Sequence, residues 1–174
     1  MKILAYTIIL MMVLIAGCKK EETDIDKLDM QLVTGMICKG SDGVSLYTMG
    51  NPNDWSRGSD LCVYPNPVHD IFSIYSEGGI KKAWVIQGNA VNTHQDIDFI
   101  ELFSLNKIDT TGIETLALQK IIPENNNLIV SMQDEAVGYY KVIVETKNNQ
   151  LLWQTIYKIY GDQDFDIADY NIWK

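Results

Sequence analysis

The stretch VYPNPVHDIFSIYSEGG (Val63–Gly79) decides the fold class of this chain. Pro65 and Pro67 fix their own φ angles and bias the residues before them toward extended backbone. Apolar and polar side chains then alternate through Ile71–Tyr75, which is the period of a strand with one buried face. The glycine pair at the end of the stretch favours a turn. The stretch therefore predicts a proline-restricted segment that leads into an antiparallel strand.

Runs rich in β-branched and aromatic residues recur through the rest of the chain, with glycine and asparagine turns between them. Many short strands with regular turns predict an all-β fold of antiparallel strands. In one run Lys141 and Glu145 alternate with apolar side chains, which indicates a polar outer face, although Ile143 interrupts the alternation. We predict strands at Leu32–Ile37, Val44–Met49, Ile71–Tyr75, Ile80–Ile86, Ile97–Phe103, Leu128–Met132, Tyr139–Thr146 and Leu151–Ile159.

The segment Thr111–Ile122 fits either a helix or a strand. Thr111 and Glu114 have the spacing of a helical capping box. Leu116 and Leu118 alternate with other side chains ahead of a proline, which suits a strand better. We predict a strand here.

Composition limits the class of protein. The chain has 174 residues, 47% of them hydrophobic, which is enough for one domain with a real core. Its formal net charge of −9 argues against nucleic-acid binding, which needs a basic surface, and against electrostatic docking on anionic lipid. We expect a single acidic globular domain that binds no nucleic acid.

The N-terminus resembles the signal peptide of bacterial lipoproteins. Lys2 is followed by an apolar run, Ile3–Ile15, that is shorter than the ~20 residues needed to span a bilayer. The run ends in LIAGC, which resembles the lipobox of that class. The resemblance implies that residues 1–17 are removed and that the thiol of Cys18 carries the lipid. We therefore expect a membrane-anchored protein that is full length from Cys18 to Lys174.

The residues after Cys18 suggest where the anchor is delivered. KKEETD (Lys19–Asp24) is similar to the export signal that sends some Bacteroidota lipoproteins to the outer face of the outer membrane. The resemblance implies a lipid-anchored outer-membrane protein, and we favour the cell surface over the periplasmic face. Glu21–Asp29 is charged and lacks periodicity, which predicts that residues 18–31 form a lipidated N-terminus and a flexible linker.

The YPNP stretch and the strands after it resemble a known module. Tyr64–Asp70, then Gly79–Lys82, Asn126–Val130 and Val137–Val142, are similar to motifs of the C-terminal sorting domain of type IX (Por) secretion. The resemblance covers about Leu61–Ile159 and implies a compact immunoglobulin-like β-sandwich. We accordingly divide the mature chain into a short N-terminal β segment (32–60), a sorting-domain-like sandwich (61–160) and an acidic tail (161–174).

Three departures from that module bear on its role. Gln87–Ala90 replaces the family's Gly-Lys turn, and a longer middle section runs from Asn92 to Glu124. Tyr160–Lys174 continues past the point where the family's domain ends. We therefore expect the module to serve as a scaffold and not as a secretion signal.

The sequence offers few groups for catalysis or metal binding. We interpret His69 as a turn residue that hydrogen-bonds the backbone, and His94, near Asp96 and Asp98, as part of a solvated loop in preference to a metal site. Asp162–Asp166 copies the first ligand positions of a calcium loop but lacks the glycine that should follow. We predict no catalytic residue, no metal and no cofactor, and hence no enzyme.

The two remaining cysteines, Cys38 and Cys62, lie in a chain expected to reach a compartment that permits disulfides. A bridge between them would contribute about 3 kcal/mol on the chain-entropy account. The alternative is two thiols that pack as small apolar side chains. We favour the bridge.

Four tryptophans raise the question of a ligand platform. Trp84 and Trp153 lie inside predicted strands and are expected in the core, whereas Trp55 and Trp173 lie in a loop and the tail and are the better contact candidates.

The sequence leaves two candidate functions. We favour a non-enzymatic envelope lipoprotein whose sandwich presents loops to a protein partner, for example in a surface or secretion assembly. The alternative is a small ligand-binding module on the cell surface, with carbohydrate the natural ligand.

Overall fold

The computed structural model describes residues 29–56, 60–105, 112–123 and 127–160. The predicted signal peptide, Cys18, most of the linker and the tail with Trp173 lie outside these residues. Within the described residues the helices are α1 (Phe99–Leu105) and α2 (Ile113–Leu116). Neither has the length and apolar character that a bilayer span requires. The strands are β1 (Leu32–Val33), β2 (Gly35–Lys39), β3 (Ser45–Gly50), β4 (Cys62–Tyr64), β5 (Ile71–Tyr75), β6 (Ile80–Gln87), β7 (Asn89–Ala90), β8 (Ala117–Ile121), β9 (Asn127–Ser131), β10 (Gly138–Thr146) and β11 (Leu151–Lys158).

Most of the strands form antiparallel sheets, which confirms the all-β prediction at that level. One sheet has the order β11-β10-β6-β8 and another the order β4-β5-β9, and every pairing in both is antiparallel. β2 and β3 form a separate antiparallel pair, and β1 pairs with β7 in parallel.

The two larger sheets share one hydrophobic core. Phe72 and Ile74 of β5 pack into the same buried cluster as Tyr140, Val142 and Val144 of β10. In both strands these residues are two apart, because alternate side chains of a strand point to the same face. The two sheets therefore pack face to face as in a sandwich, and this packing buries the apolar face that the strand pattern predicted.

The four-stranded sheet is also buried on its other face. Trp84, Ile143 and Trp153 form a second cluster there, covered by Phe99 and Phe103 of α1. Both tryptophans are buried, as predicted. The polar outer face predicted for β10 is wrong, because helices and a loop cover it. The break that Ile143 makes in the alternation is the sequence signal of this second buried face.

Helix α1 replaces the strand predicted at Ile97–Phe103. Asp98 Oδ1 accepts a hydrogen bond from the backbone N–H of Glu101 at 3.0 Å, which caps the start of the helix. Phe99 and Phe103 are four residues apart, so a helix places both on the buried face. The prediction at Thr111–Ile122 is half right, since α2 precedes strand β8 there.

The YPNP segment joins β2 to β11. Asn66 is buried, and its backbone exchanges two hydrogen bonds with Lys39, at 2.8 and 3.0 Å. Its side-chain Nδ2 donates to the carbonyl oxygens of Ile37 and Thr155 at 2.7 and 3.0 Å. Its Oδ1 accepts from the Tyr157 N–H at 3.0 Å. The asparagine between the two prolines, both preceded by cis peptide bonds, therefore pins two strands together.

Candidate functional site

An apolar groove lies against the β2–β3 pair. Ile37 and Thr48, which are register partners in the two strands, line it together with Pro52 and residues 54–56. Ile100 of α1 lines it as well, with 67% of its surface exposed. The groove has a cavity volume of about 460 Å³. Its lining comes from three segments that are distant in sequence and that the fold brings together.

Trp55, the loop tryptophan predicted as a contact residue, lines this groove in a half-buried position. Its backbone exchanges hydrogen bonds with Trp153 of β11 at 2.9 and 3.0 Å, which fixes the loop along the edge of the sheet. Its ring meets Phe103 edge-on with centroids 5.7 Å apart, and the Trp153 ring lies 6.2 Å away. Trp55 is thus a rigid part of the groove with one portion open to solvent.

Trp55 and Ser56 also line a second depression, of about 420 Å³, together with Asp60 and residues 150–152. A third, of about 440 Å³, is bordered by Tyr64, Pro65 and His69 near the YPNP segment. Three of the six residues that line the second depression are polar, and the lining of the third includes no tryptophan. We take the groove against β2–β3 as the candidate site because Trp55 stands there beside two isoleucines, Ile37 and the exposed Ile100.

A buried polar cluster supports the groove from behind. The Lys141 ammonium bonds to the side-chain oxygen of Asn53, and the Asn53 carbonyl accepts from Trp153 Nε1 at 2.7 Å. Asp54 Oδ1 accepts from the Thr155 N–H at 2.7 Å. These bonds hold residues 53 and 54 against β10 and β11, and they satisfy groups whose burial would otherwise be costly.

Burial shifts the pKa of both charged groups in this cluster. Desolvation raises the pKa of the Asp54 carboxyl, and the charge of Lys141 only partly opposes it. Desolvation lowers the pKa of Lys141 to about 8, against the attraction of Asp54 and Asp29. The Lys141 side chain is buried, and its ammonium bonds to the carbonyl and side-chain oxygens of Asn53.

The predicted Cys38–Cys62 bridge is not formed, and both residues are free thiols. Cys38 packs with Met36 and Tyr139, and burial raises the pKa of its thiol. Lys39, the next residue of β2, turns to the opposite face, where its Nζ lies 3.6 Å from Cys62 Sγ. Because successive side chains of a strand point to opposite faces, β2 separates the two thiols.

The two histidines lie apart from the groove lining. His69 is exposed, and its backbone carbonyl accepts a hydrogen bond from Lys158 Nζ. His94 has a positive φ of 68°, and its carbonyl accepts from Asn51 Nδ2 at 3.1 Å. Within the residues that the structure describes, no three His, Cys, Asp or Glu side chains form a group able to hold a metal.

Sequence reasoning missed Ile37, Asp54 and Ile100 as site residues. The sequence contains a signal only for the buried polar cluster behind the groove. Lys141 lies inside the apolar run YYKVIV, which indicates a buried charge that needs polar partners. Comparison with known proteins adds no relative, since no family model, no curated protein and no solved structure matches the chain.

Proposed function

We propose that this chain is a lipid-anchored protein of the cell envelope that works by binding a protein partner and catalyses no reaction. The observation that carries the proposal is the apolar groove. Ile37, Trp55 and Ile100 line it, and Leu46 of the adjoining strand β3 is 62% exposed. Contiguous exposed apolar surface of this kind is typical of protein-binding sites. The rigid mounting of Trp55 fits a preformed surface, which binds with little ordering cost.

The anchor and location are part of the same proposal. Acyl chains on Cys18 would contribute about 0.8 kcal/mol per buried methylene, and more than one chain gives stable retention. The segment behind Cys18 supports delivery to the outer membrane, with the domain facing the cell surface. The sorting-domain-like module from Leu61 to Ile159 then serves as the scaffold that holds the groove, and it does not direct secretion.

Carbohydrate is the second candidate ligand. It is favoured by the position of Trp55 beside Asp54 and Ser56, since an aromatic face with nearby polar groups can hold a sugar ring. Against it, the Trp55 ring is partly covered by Phe103 and Trp153. A protein partner uses the aliphatic walls of the groove as well, and we prefer it for that reason.

The proposal is tested by the mass of the native complex extracted from membranes in mild detergent. Wild-type protein and Leu118→Glu should migrate in the same assembly, larger than the monomer, because Leu118 is exposed on β8 and is not part of the groove. Ile100→Glu places a charge on the groove wall and should release the monomer. A monomer in all three samples, together with specific glycan binding that Ile100→Glu abolishes, would replace the protein partner with carbohydrate.

A further inference from the structure

Strand β3 has an unpaired edge beside the groove. Among the described residues it pairs with β2 alone, in the register Gly35↔Gly50, Met36↔Met49 and Ile37↔Thr48. The Asn51 N–H donates to the Thr34 carbonyl at 2.9 Å, just beyond the last of these pairs. Hydrogen-bonded pairs alternate along an antiparallel ladder. Met49 therefore directs its backbone groups toward β2.

By the same alternation Thr48 directs its N–H and C=O away from β2. The alternation ends at Tyr47, because the register shifts there and leaves Leu46 without a partner in β2. The Thr48 side chain is exposed and lies on the same face of the pair as its register partner Ile37, which borders the groove, and Leu46 is exposed as well. Val44, just before the strand, is also 57% exposed. An edge with free backbone groups and apolar side chains is a template for pairing with another chain.

The charge near this edge favours a basic partner. Asp54 lines the groove, and Asp42 lies in the turn between β2 and β3. The whole chain has a net charge of −9. A second copy of this acidic chain would bring like charge to the edge, whereas a basic segment would be attracted to it.

We propose that β3 accepts an extended, basic segment of a partner protein as an added strand, with alternate side chains of that segment lying in the groove. This inference rests on the proposed function and specifies its mode. The outward N–H and C=O of Thr48 require a partner that offers both an acceptor and a donor, as the backbone of an extended polypeptide does. Side chains on one face of the added strand then meet Ile37, Trp55 and Ile100.

The test selects ligands for the full-length chain in detergent from a phage-displayed library of random linear peptides. Selected peptides should be enriched in lysine or arginine and in β-branched residues at alternate positions. The best peptide should bind Thr48→Pro about tenfold more weakly, because the variant removes an outward N–H and leaves the β2 ladder intact. Thr48→Val keeps that N–H and should bind like the wild type.

A second experiment does not depend on whether Thr48→Pro folds. N-methylation of alternate amides in the selected peptide keeps its side chains and removes the donors that face β3, so the affinity should fall by about tenfold. Asp54→Asn should reduce the enrichment for basic residues. Equal binding of the methylated peptide, or selection of acidic or neutral sequences, would overturn the inference. In that case a native complex that Ile100→Glu disrupts would still support the proposed function. If neither the peptide pairing nor the complex is observed, both the inference and the proposed function are rejected.

Discussion

The replacement Asn66→Ala tests how the YPNP segment holds this fold together. Asn66 is 2% exposed, and its side chain makes three hydrogen bonds, to the carbonyls of Ile37 and Thr155 and from the N–H of Tyr157. Alanine keeps the backbone bonds to Lys39 and removes all three. The buried carbonyl of Thr155 and the part-buried backbone groups of Ile37 and Tyr157 then lose these bonds at the point where β2 meets β11.

The expected loss of stability follows from those groups. A buried polar group left without a partner costs about 1–3 kcal/mol, so the low end for three groups gives about 3 kcal/mol. That is a large part of the total stability of a small domain, which is about 5–15 kcal/mol. With a urea dependence of about 2 kcal/mol per molar, the unfolding midpoint should fall by about 1.5 M.

Urea unfolding of the full-length chain in detergent, followed by tryptophan fluorescence, measures this change. Asn148→Ala is the matched control, because Asn148 lies exposed in the turn between β10 and β11 and should change stability by less than about 0.5 kcal/mol. Pro65→Ala and Pro67→Ala should lower stability by a smaller amount than Asn66→Ala and leave the cellular location unchanged. If Asn66→Ala unfolds at the same urea concentration as Asn148→Ala, the asparagine does not pin the strands and the reasoning fails.

Three further predictions concern the anchor, the thiols and the buried lysine. Cys18→Ala should release the protein from the membrane fraction or stall its processing, and unchanged membrane retention would argue against the anchor. Protein unfolded and alkylated without reductant should carry label on both Cys38 and Cys62. A protein without label on these residues and lighter by two hydrogens would show that the disulfide is formed. The folded pKa of Lys141, about 8, lies below its ordinary value of 10.5, so the unfolded chain holds more protons between these values and stability rises with pH there. From pH 7.5 to 9.5 wild-type stability should rise by up to about 2 kcal/mol relative to Lys141→Met in paired urea titrations, and parallel curves would contradict the shift.

The strands were predictable because their pattern is local. Ile71–Tyr75 was placed without error, since a half-buried strand shows the period of two directly. Helix α1 could not be recognised in the same way. Its short apolar run is compatible with a buried strand, and only the second buried face of the sheet, which needs Phe99 and Phe103 on one side of a helix, decides the matter.

Of the residues that line the groove, only Trp55 was predicted from the sequence as a contact residue. Trp55 stood out as a tryptophan in a loop, but Ile37 and Ile100 are ordinary aliphatic residues in segments far from it. Their meeting depends on how the loop pairs with β11 and how α1 packs on the sheet. The free edge of β3 likewise follows from pairing partners that no local pattern specifies. The Lys141 cluster left a trace in the sequence, although its partners Asn53 and Asp54 did not.

Site-specific photo-crosslinking in intact cells tests most directly whether the groove binds a protein. A photoreactive side chain at position 100 lies on the groove wall, and one at position 118 is comparably exposed on β8, outside the groove lining (67% and 51% in the native residues). We predict that illumination produces one defined protein adduct at position 100 and that the same adduct is absent or minor at position 118. No adduct at position 100, or equal yields at the two positions, would contradict the proposal that this groove is the binding surface.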